Sequence, residues 1–487
     1  MKILMAASEM APYAKTGGLG DVLGALPRAL AREGHQVLVM LPLYQSIDLT
    51  QLPVVRLPES LKVEVGGKSY EYRLHVLRDR RRNFRVVFVQ IADLFDRPGL
   101  YVDQETGEDF VDNDIRFVAF SRTVLDGAGA LDFQPDVVHV HDWQTAFVPA
   151  LLKIAGEKYP HFARTKTVLT IHNLAHQGTF PGERFAHLDV PPEHFAPGRA
   201  FEFYKDVNLL KAGIVFADKI TTVSNRYAQE IQTGKFGCGL DGVLRQREAD
   251  IVGILNGVDY AVWSPSRDRH IPYRYLPANL GGKKKTRVEL MNEAGLPIRD
   301  NHPLIGIVSR LAHQKGFDLI EEAADRLFER DLQMVVLGTG DEKYHRLFEQ
   351  LQAKYPDKLR CYFRMDERLA HMIEAGSDIF LMPSLFEPCG LNQMYSLKYG
   401  TVPIVHTVGG LADTIKDFDQ GTGVGNGFVF DEESPEAMLE TIDRALVIFA
   451  KRRTWYKVVK NGMLQDHSWN RAVAEYVDLY HQLLTSA

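Results

Sequence analysis

Two successive series of short apolar runs, each run followed by a helix-like pattern, constrain this chain more than any other feature of it. In the first series Ile3 to Ala7 precedes a helical segment from about Gly20 to Arg32, and Val37 to Leu41 follows. Further runs lie at Val86 to Gln90, Val137 to Val140, Thr167 to Ile171 and Lys219 to Val223. Runs this short and continuously apolar, bounded by turn residues and alternating with helices, are strands covered on both faces. The first half therefore reads as a parallel, doubly wound sheet. The second series starts at Leu304 to Val308 and continues through Met334 to Leu337, Leu359 to Phe363, Ile379 to Met382, Val402 to Val405 and Phe428 to Phe430. Between the two, Asn256 to Asn301 is rich in Pro, Gly, Arg and Lys and reads as a boundary with a helix leading into the second half. The expected fold class is α/β, with two Rossmann-like domains facing each other, and 487 residues at roughly 150 per domain agree with a divided core. The last pattern, Trp469 to Leu484, is an amphipathic helix whose partner domain the periodicity leaves open.

Charge and cysteine usage exclude several classes. Lys and Arg number 57 against 63 Asp and Glu, and the basic residues are scattered rather than striped, which argues against a nucleic-acid partner. The densest basic clusters, Arg78 to Arg85 and Lys283 to Lys285, read as solvated faces. Cys238, Cys361 and Cys389 are too far apart for a C-x-x-C motif and odd in number, so a reducing cytoplasm is expected. Met1 to Ser8 reads as a buried strand rather than a signal peptide, and no run approaches the ~20 apolar residues of a membrane span.

Chemistry concentrates at the carboxyl ends of the expected strands, where α/β sheets bind ligands. Lys15-Thr16-Gly17-Gly18-Leu19-Gly20-Asp21 joins a cation, backbone without Cβ and a helix start, which suits a phosphate or sugar but matches neither the P-loop nor the dinucleotide fingerprint. Gly409-Gly410-Leu411-Ala412-Asp413 echoes it in the second half, and each turn is expected to present helix N-terminal N–H groups. Gly338-Thr339-Gly340 is a lone G-x-G. Arg310 and Lys315, just past a strand, are placed to stabilise charge on a departing diphosphate. Glu387, in Ser384-Leu385-Phe386-Glu387-Pro388-Cys389-Gly390-Leu391 ahead of a helix near Asn392, could hold a donor sugar or cap the helix. His141-Asp142-Trp143-Gln144 and Ile171-His172-Asn173 come from two strand ends of the first half. His139 and His141 form an H-x-H, but no completing ligand makes it a zinc site, and Asp112-Asn113-Asp114 and Asp417-Phe418-Asp419 read as turn acids.

With these segments assembled, the chain resembles the bacterial glycogen synthase and plant starch synthase family over nearly its whole length. The resemblance is carried by K-T-G-G-L-G-D at Lys15, H-D-W at His141, T-I-H-N at Thr170 with Gln177-Gly178 downstream, and Ile254-Leu255-Asn256-Gly257-Val258-Asp259. It is carried further by S-R-L-x-x-Q-K-G at Ser309, F-E-P-C-G-L at Phe386 and G-G-L-x-D-T at Gly409. It implies a GT-B fold with a first domain over residues 1–255, a second over 256–465, and the helix of 466–487 returning to the first. It also implies a retaining transferase with ADP-glucose as donor, glycogen or a maltooligosaccharide as acceptor, and no metal or other cofactor. Residue by residue, it implies that Lys15 binds the donor phosphates, and Gly17, Gly18 and Asp21 of the same turn are expected among the substrate-binding residues. Asp142, His172 and Asn173 would line the glucose pocket, and Arg310 and Lys315 would neutralise the diphosphate. Glu387, Cys389 and Gly390 would hold glucose hydroxyls, Leu391 and Asn392 are expected among the substrate-binding residues, and Asn256 would shape the acceptor side. The sequence departs from many relatives at Gln144, where histidine is common, and at Asn392, where threonine is common. Met365 stands near the expected adenine site where some relatives carry an aromatic.

Three other functions compete on the same residues. A related retaining transferase using UDP-glucose or a small acceptor would share the basic pair and the acid-bearing loop. An NAD-dependent oxidoreductase fits the sheets but not the missing G-x-G-x-x-G, and a non-catalytic glucan binder does not explain why every polar candidate is retained.

Overall fold

The computed structural model describes residues 1–78 and 83–485. Arg80, Arg81 and Arg82 of the first basic cluster lie outside them. The chain divides into two compact units. One comprises Met1–Val223, Ala228–Leu255 and the C-terminal segment from Trp469, and the other Ser224–Tyr227 and Asn256–Ser468.

The first unit is built on a sheet of ten strands among the described residues. Its centre is Lys2–Ala6, paired in parallel with Gln36–Pro42 on one side and Val137–His141 on the other. Beyond Val137–His141 come Lys166–Ile171, Lys219–Thr222 and Ile251–Gly253, all parallel. Beyond Gln36–Pro42 comes Phe84–Gln90, and then an antiparallel extension through Lys68–Leu77 that the apolar-run pattern did not single out. That extension alternates exposed and buried residues, as a half-solvated antiparallel strand does, so it gives no continuous apolar run. Helix Gly18–Arg32 follows the central strand, burying Leu19, Val22, Leu23, Leu26 and Leu30 at helical spacing, with Asp21 in its first turn and Arg32 in its last. It packs against the helix Trp469–Thr485, whose Tyr480 hydroxyl lies 2.7 Å from Nδ1 of buried His139.

The second unit holds a six-stranded, all-parallel sheet in the order Leu359–Tyr362, Gln333–Leu337, Leu304–Val308, Ile379–Met382, Val402–His406, Phe428–Phe430. In chain order this is 3-2-1-4-5-6, so the winding reverses between Leu304–Val308 and Ile379–Met382. The loops leaving those two strands are where such a sheet opens a crevice. In the first unit the reversal falls between Lys2–Ala6 and Val137–His141 by the same reasoning. Among the described residues no helix is long and apolar enough to cross a membrane.

Two expectations need correcting here. Lys283 is not part of a solvated face: its ammonium is buried and donates to the Ala375 carbonyl and to Thr401 Oγ1, and burial pushes its pKa down to about 7. Asp114 is not a turn acid either. It sits in the first turn of helix Asn113–Ala130, buried, 2.6 Å from His187 Nδ1. Asp112 lies in the turn directly ahead of that helix and pairs with Arg97, and Asp419 organises a turn, accepting from Thr422.

Candidate active site

In the second unit the two reversal-point loops meet. Lys315, in the loop after Leu304–Val308, places Nζ 2.6 Å from Oε2 of Glu387, in the loop after Ile379–Met382. The Glu387 side chain is 9% exposed and also accepts from Ser384 Oγ at 3.0 Å, so its carboxylate serves the loop and is not a helix cap. Arg310 is exposed, and its guanidinium has no hydrogen-bond or ion-pair partner among the described residues. Asn392 Nδ2 donates to the Val308 carbonyl at 2.5 Å, tying the start of helix Asn392–Tyr399 to the neighbouring strand end. Cys389 is buried and receives hydrogen bonds from Asn256, and burial pushes its thiol up to about 12. Asn256 Oδ1 is itself buried without a partner among the described residues. Gly390 adopts φ 67°, and Gln393 Nε2 donates to the carbonyls of Cys389 and Gly390, fixing the turn ahead of Leu391.

The Gly409-Gly410 turn serves this loop from behind rather than a ligand. Gly410 N–H donates to the Glu387 carbonyl at 3.0 Å and a Cβ there would lie 1.9 Å from the Cys389 carbonyl oxygen, while Leu411 and Ala412 N–H are taken by Val408. The expectation that this turn presents free N–H groups is therefore corrected: close backbone approach, not anion binding, requires its glycines. The lone G-x-G has a similar role, since a Cβ at Gly338 would meet the Ser309 carbonyl at 2.0 Å.

In the first unit, Lys15 pairs with Asp21 at 2.6 Å, both side chains partly exposed. Burial raises the Asp21 carboxyl above its ordinary value, against the pull of Lys15. Glu9 organises the turn, and its role was not legible from spacing. Its buried carboxylate accepts from Thr16 N–H and Oγ1 at 2.6 Å each, from Gly17 N–H at 3.2 Å and from Tyr101 at 2.8 Å. Nothing lies within 4 Å of where a Cβ would sit on Gly17 or Gly18, so that face of the helix start is open. Asp142 leaves its strand at φ 54°, and its buried carboxyl accepts from the backbone N–H groups of His172 and Asn173. Burial pushes Asp142 up to about 7 and His172 down to about 3, so the imidazole is neutral at working pH. His172 Nε2 lies 3.0 Å from His141 Nδ1, and His139 spends its two nitrogens on Tyr480 and Thr170. The H-x-H ring centres thus lie 4.3 Å apart, tilted by 31°, in a buried ladder.

Comparison with known proteins decides the family. Residues 2–246 match the starch synthase catalytic domain model and residues 291–461 the glycosyl transferases group 1 model. A glycogen synthase of Anaeromyxobacter dehalogenans is 47% identical over 484 residues, spanning 99% of this chain and all of that one. The chain belongs to the glycogen and starch synthase family of glycosyltransferases. A glycogen synthase 2 of Geobacter metallireducens is 44% identical over 480 residues, 99% of this chain and 98% of its own. Among solved structures, the catalytic domain of starch synthase IV from Arabidopsis thaliana, bound to ADP and acarbose, superposes with a TM-score of 0.89 at 32% identity over 99% of both chains. A sucrose-phosphate synthase of Thermosynechococcus elongatus, at TM-score 0.62 and 16% identity over the whole of both chains, shares the fold alone. The fold is accordingly GT-B, and every family motif sits at a strand end or in the packing that supports one. Gln144, where many family members carry histidine, is buried with Oε1 unpaired among the described residues. Met365 is 87% exposed.

Proposed function

We propose that this enzyme transfers glucose from ADP-glucose to the non-reducing 4-hydroxyl of an α-1,4-glucan, glycogen or a maltooligosaccharide, with retention at the anomeric carbon. The observation that carries the reading is the Lys315–Glu387 pair at the reversal point of the second sheet, in a chain aligned end to end with glycogen synthases. The ADP and acarbose of the starch synthase IV structure support a nucleotide and a glucan as ligands.

Transfer breaks the bond between the glucose C1 and the diphosphate oxygen and forms a bond from C1 to the acceptor oxygen. The acceptor proton passes to a diphosphate oxygen. Charge develops on that diphosphate, and fixed cations stabilise it more than reorienting water can, which is the role assigned to Arg310, Lys315 and Lys15. A retaining glycosidase instead uses two carboxyls about 5 to 5.5 Å apart, one as nucleophile. Glu387 keeps its contact with Lys315 at 2.6 Å and is assigned an electrostatic role toward the oxocarbenium-like centre rather than a nucleophilic one. Asp142, Asn173, Cys389, Gly390, Leu391 and Asn392 are assigned to the glucose hydroxyls, the backbone near His172 to C1, and Asn256 to the acceptor side.

The experiment is ADP release from ADP-glucose with and without a maltooligosaccharide, run beside UDP-glucose. Acceptor-dependent release from ADP-glucose, exceeding that from UDP-glucose, is expected. Release only from UDP-glucose, or none dependent on the glucan, overturns the reading.

A further inference from the structure

The second unit gathers another cluster that the transfer chemistry does not use. Helix Glu367–Gly376 carries Glu367 and His371 four residues apart, hence on one face. His270, in the segment ahead of helix Gly281–Ala294, comes alongside: its ring centre is 4.6 Å from that of His371, and its Nε2 is 3.9 Å from Glu367 Oε1. One ligand atom from each of the three residues lies within 4.8 Å of the others.

The decisive residue is His371. It is fully buried, stacked 3.8 Å from Trp263, and its Nδ1 lies 2.7 Å from Asp268 Oδ2. Asp268 is held in turn by the Tyr399 hydroxyl and by His270 N–H. A carboxylate at Nδ1 fixes the tautomer that leaves a lone pair on Nε2, which is how metal-binding imidazoles are oriented. Nε2 is buried with no hydrogen-bond partner among the described residues. Stacking on Trp263 accounts for where the ring is, but not for a polar nitrogen left unpaired, which protein interiors avoid.

We propose that His270, His371 and Glu367 bind a divalent cation of the zinc class, clipping the segment around His270 to helix Glu367–Gly376. Two imidazoles and one carboxylate select zinc, cobalt or nickel over magnesium or calcium, and three protein ligands leave a fourth position for water. Ligand distances of about 2.0 Å require the donor atoms to draw closer together. His371 is fixed, but Glu367 is exposed in the first turn of its helix and His270 sits in a loop, so the adjustment falls on the movable partners. Arg269 Nε, 3.3 Å from His270 Nε2, competes for that nitrogen, and its exposed side chain must swing away on binding. A surface cleft of about 490 Å³ lined by Arg269, Arg368 and Met372 opens beside His270. The proposal is independent of the transferase reading.

The test uses the full-length chain, stripped with a chelator and titrated with Co²⁺ and then Zn²⁺. One equivalent of Co²⁺ is expected to give the visible absorption of a low-coordinate nitrogen–oxygen site and to be displaced by Zn²⁺. Glu367 is exposed, so Glu367→Gln should keep the metal-free melting temperature, and both it and His270→Ala should weaken Co²⁺ binding at least about 10-fold, as loss of a ligand or its support does. Failure of the wild-type chain to take up stoichiometric metal, or uptake unchanged in His270→Ala, overturns the proposal.

Discussion

Asp142→Asn tests whether the strand-end carboxyl of the first unit is held against its ionisation. Burial pushes the Asp142 pKa up to about 7 from 3.8, while the backbone N–H groups of His172 and Asn173 and the nearby Glu9 modify that shift less. The folded-state pKa is therefore raised. Between those two values the folded chain holds a proton the unfolded chain has lost, so stability is full below about pH 4 and falls as pH rises through 7. Three pH units at about 1.36 kcal/mol each set a span of about 4 kcal/mol, an upper bound since relaxation around the carboxylate reduces it. Asparagine keeps one oxygen for the His172 N–H, now 2.7 Å away, and removes the titration. A lost backbone hydrogen bond costs the variant about 1 kcal/mol at every pH. By pH 5 the wild type has already lost about 1.6 kcal/mol of that span, so Asp142→Asn should be slightly less stable only below about pH 4.5 and more stable above it, by up to about 3 kcal/mol at pH 8.5. Each kcal/mol moves the melting temperature of a unit this size by about 2–4 °C. Calorimetry on the full chain is the assay. Stability curves for the two proteins that run parallel from pH 5 to 8.5 would refute the reasoning, because the carboxyl would then titrate as though solvated.

Other consequences follow from the same geometry. Arg310→Ala and Lys315→Ala should each lower kcat by about 10²–10³-fold, the usual loss when one fixed transition-state charge is removed, and a change confined to KM contradicts the assigned role. Lys315→Ala should also lower the melting temperature of the second unit, because it strands the Glu387 carboxylate, whereas Arg310→Ala should not. Gly410→Ala drives a methyl against the Cys389 carbonyl, 1.9 Å away, so calorimetry should show a destabilised second unit and ADP release should fall; wild-type turnover would contradict the packing. Under native conditions a thiol reagent should modify Cys238 alone, because Cys361 and Cys389 are buried and burial raises both thiols; rapid reaction of a second thiol contradicts this.

How much of this was legible depended on whether the signal was local. The strands of the second unit were readable because both faces are covered: Leu304–Val308 and Ile379–Met382 form at the positions where their apolar runs begin and end. The antiparallel strand Lys68–Leu77 was not, since one face meets solvent and its apolar residues alternate. Lys315 and Glu387 could be placed at strand ends, but their pairing across 72 residues is a consequence of strand order, which no spacing encodes. Glu9 shows the same limit. Nothing in its spacing marks it, and only the fold of the turn brings Thr16, Gly17 and Tyr101 to its carboxylate. The two Gly-Gly-Leu turns look alike as strings, yet one opens a helix start and the other makes room for a carbonyl, a difference set by the neighbouring loop. Lys283 and Asp114 were misread because charge alone suggested solvent, while a carbonyl, a hydroxyl and an imidazole from distant segments satisfy them in the interior.

The most direct measurement is NMR of the product formed from ADP-glucose carrying ¹³C at C1 and a maltooligosaccharide. The account predicts one new labelled residue at the non-reducing end, joined through the acceptor 4-oxygen, with the small H1–H2 coupling of an α-anomer. A β-anomeric signal, or label appearing only as free glucose, contradicts it.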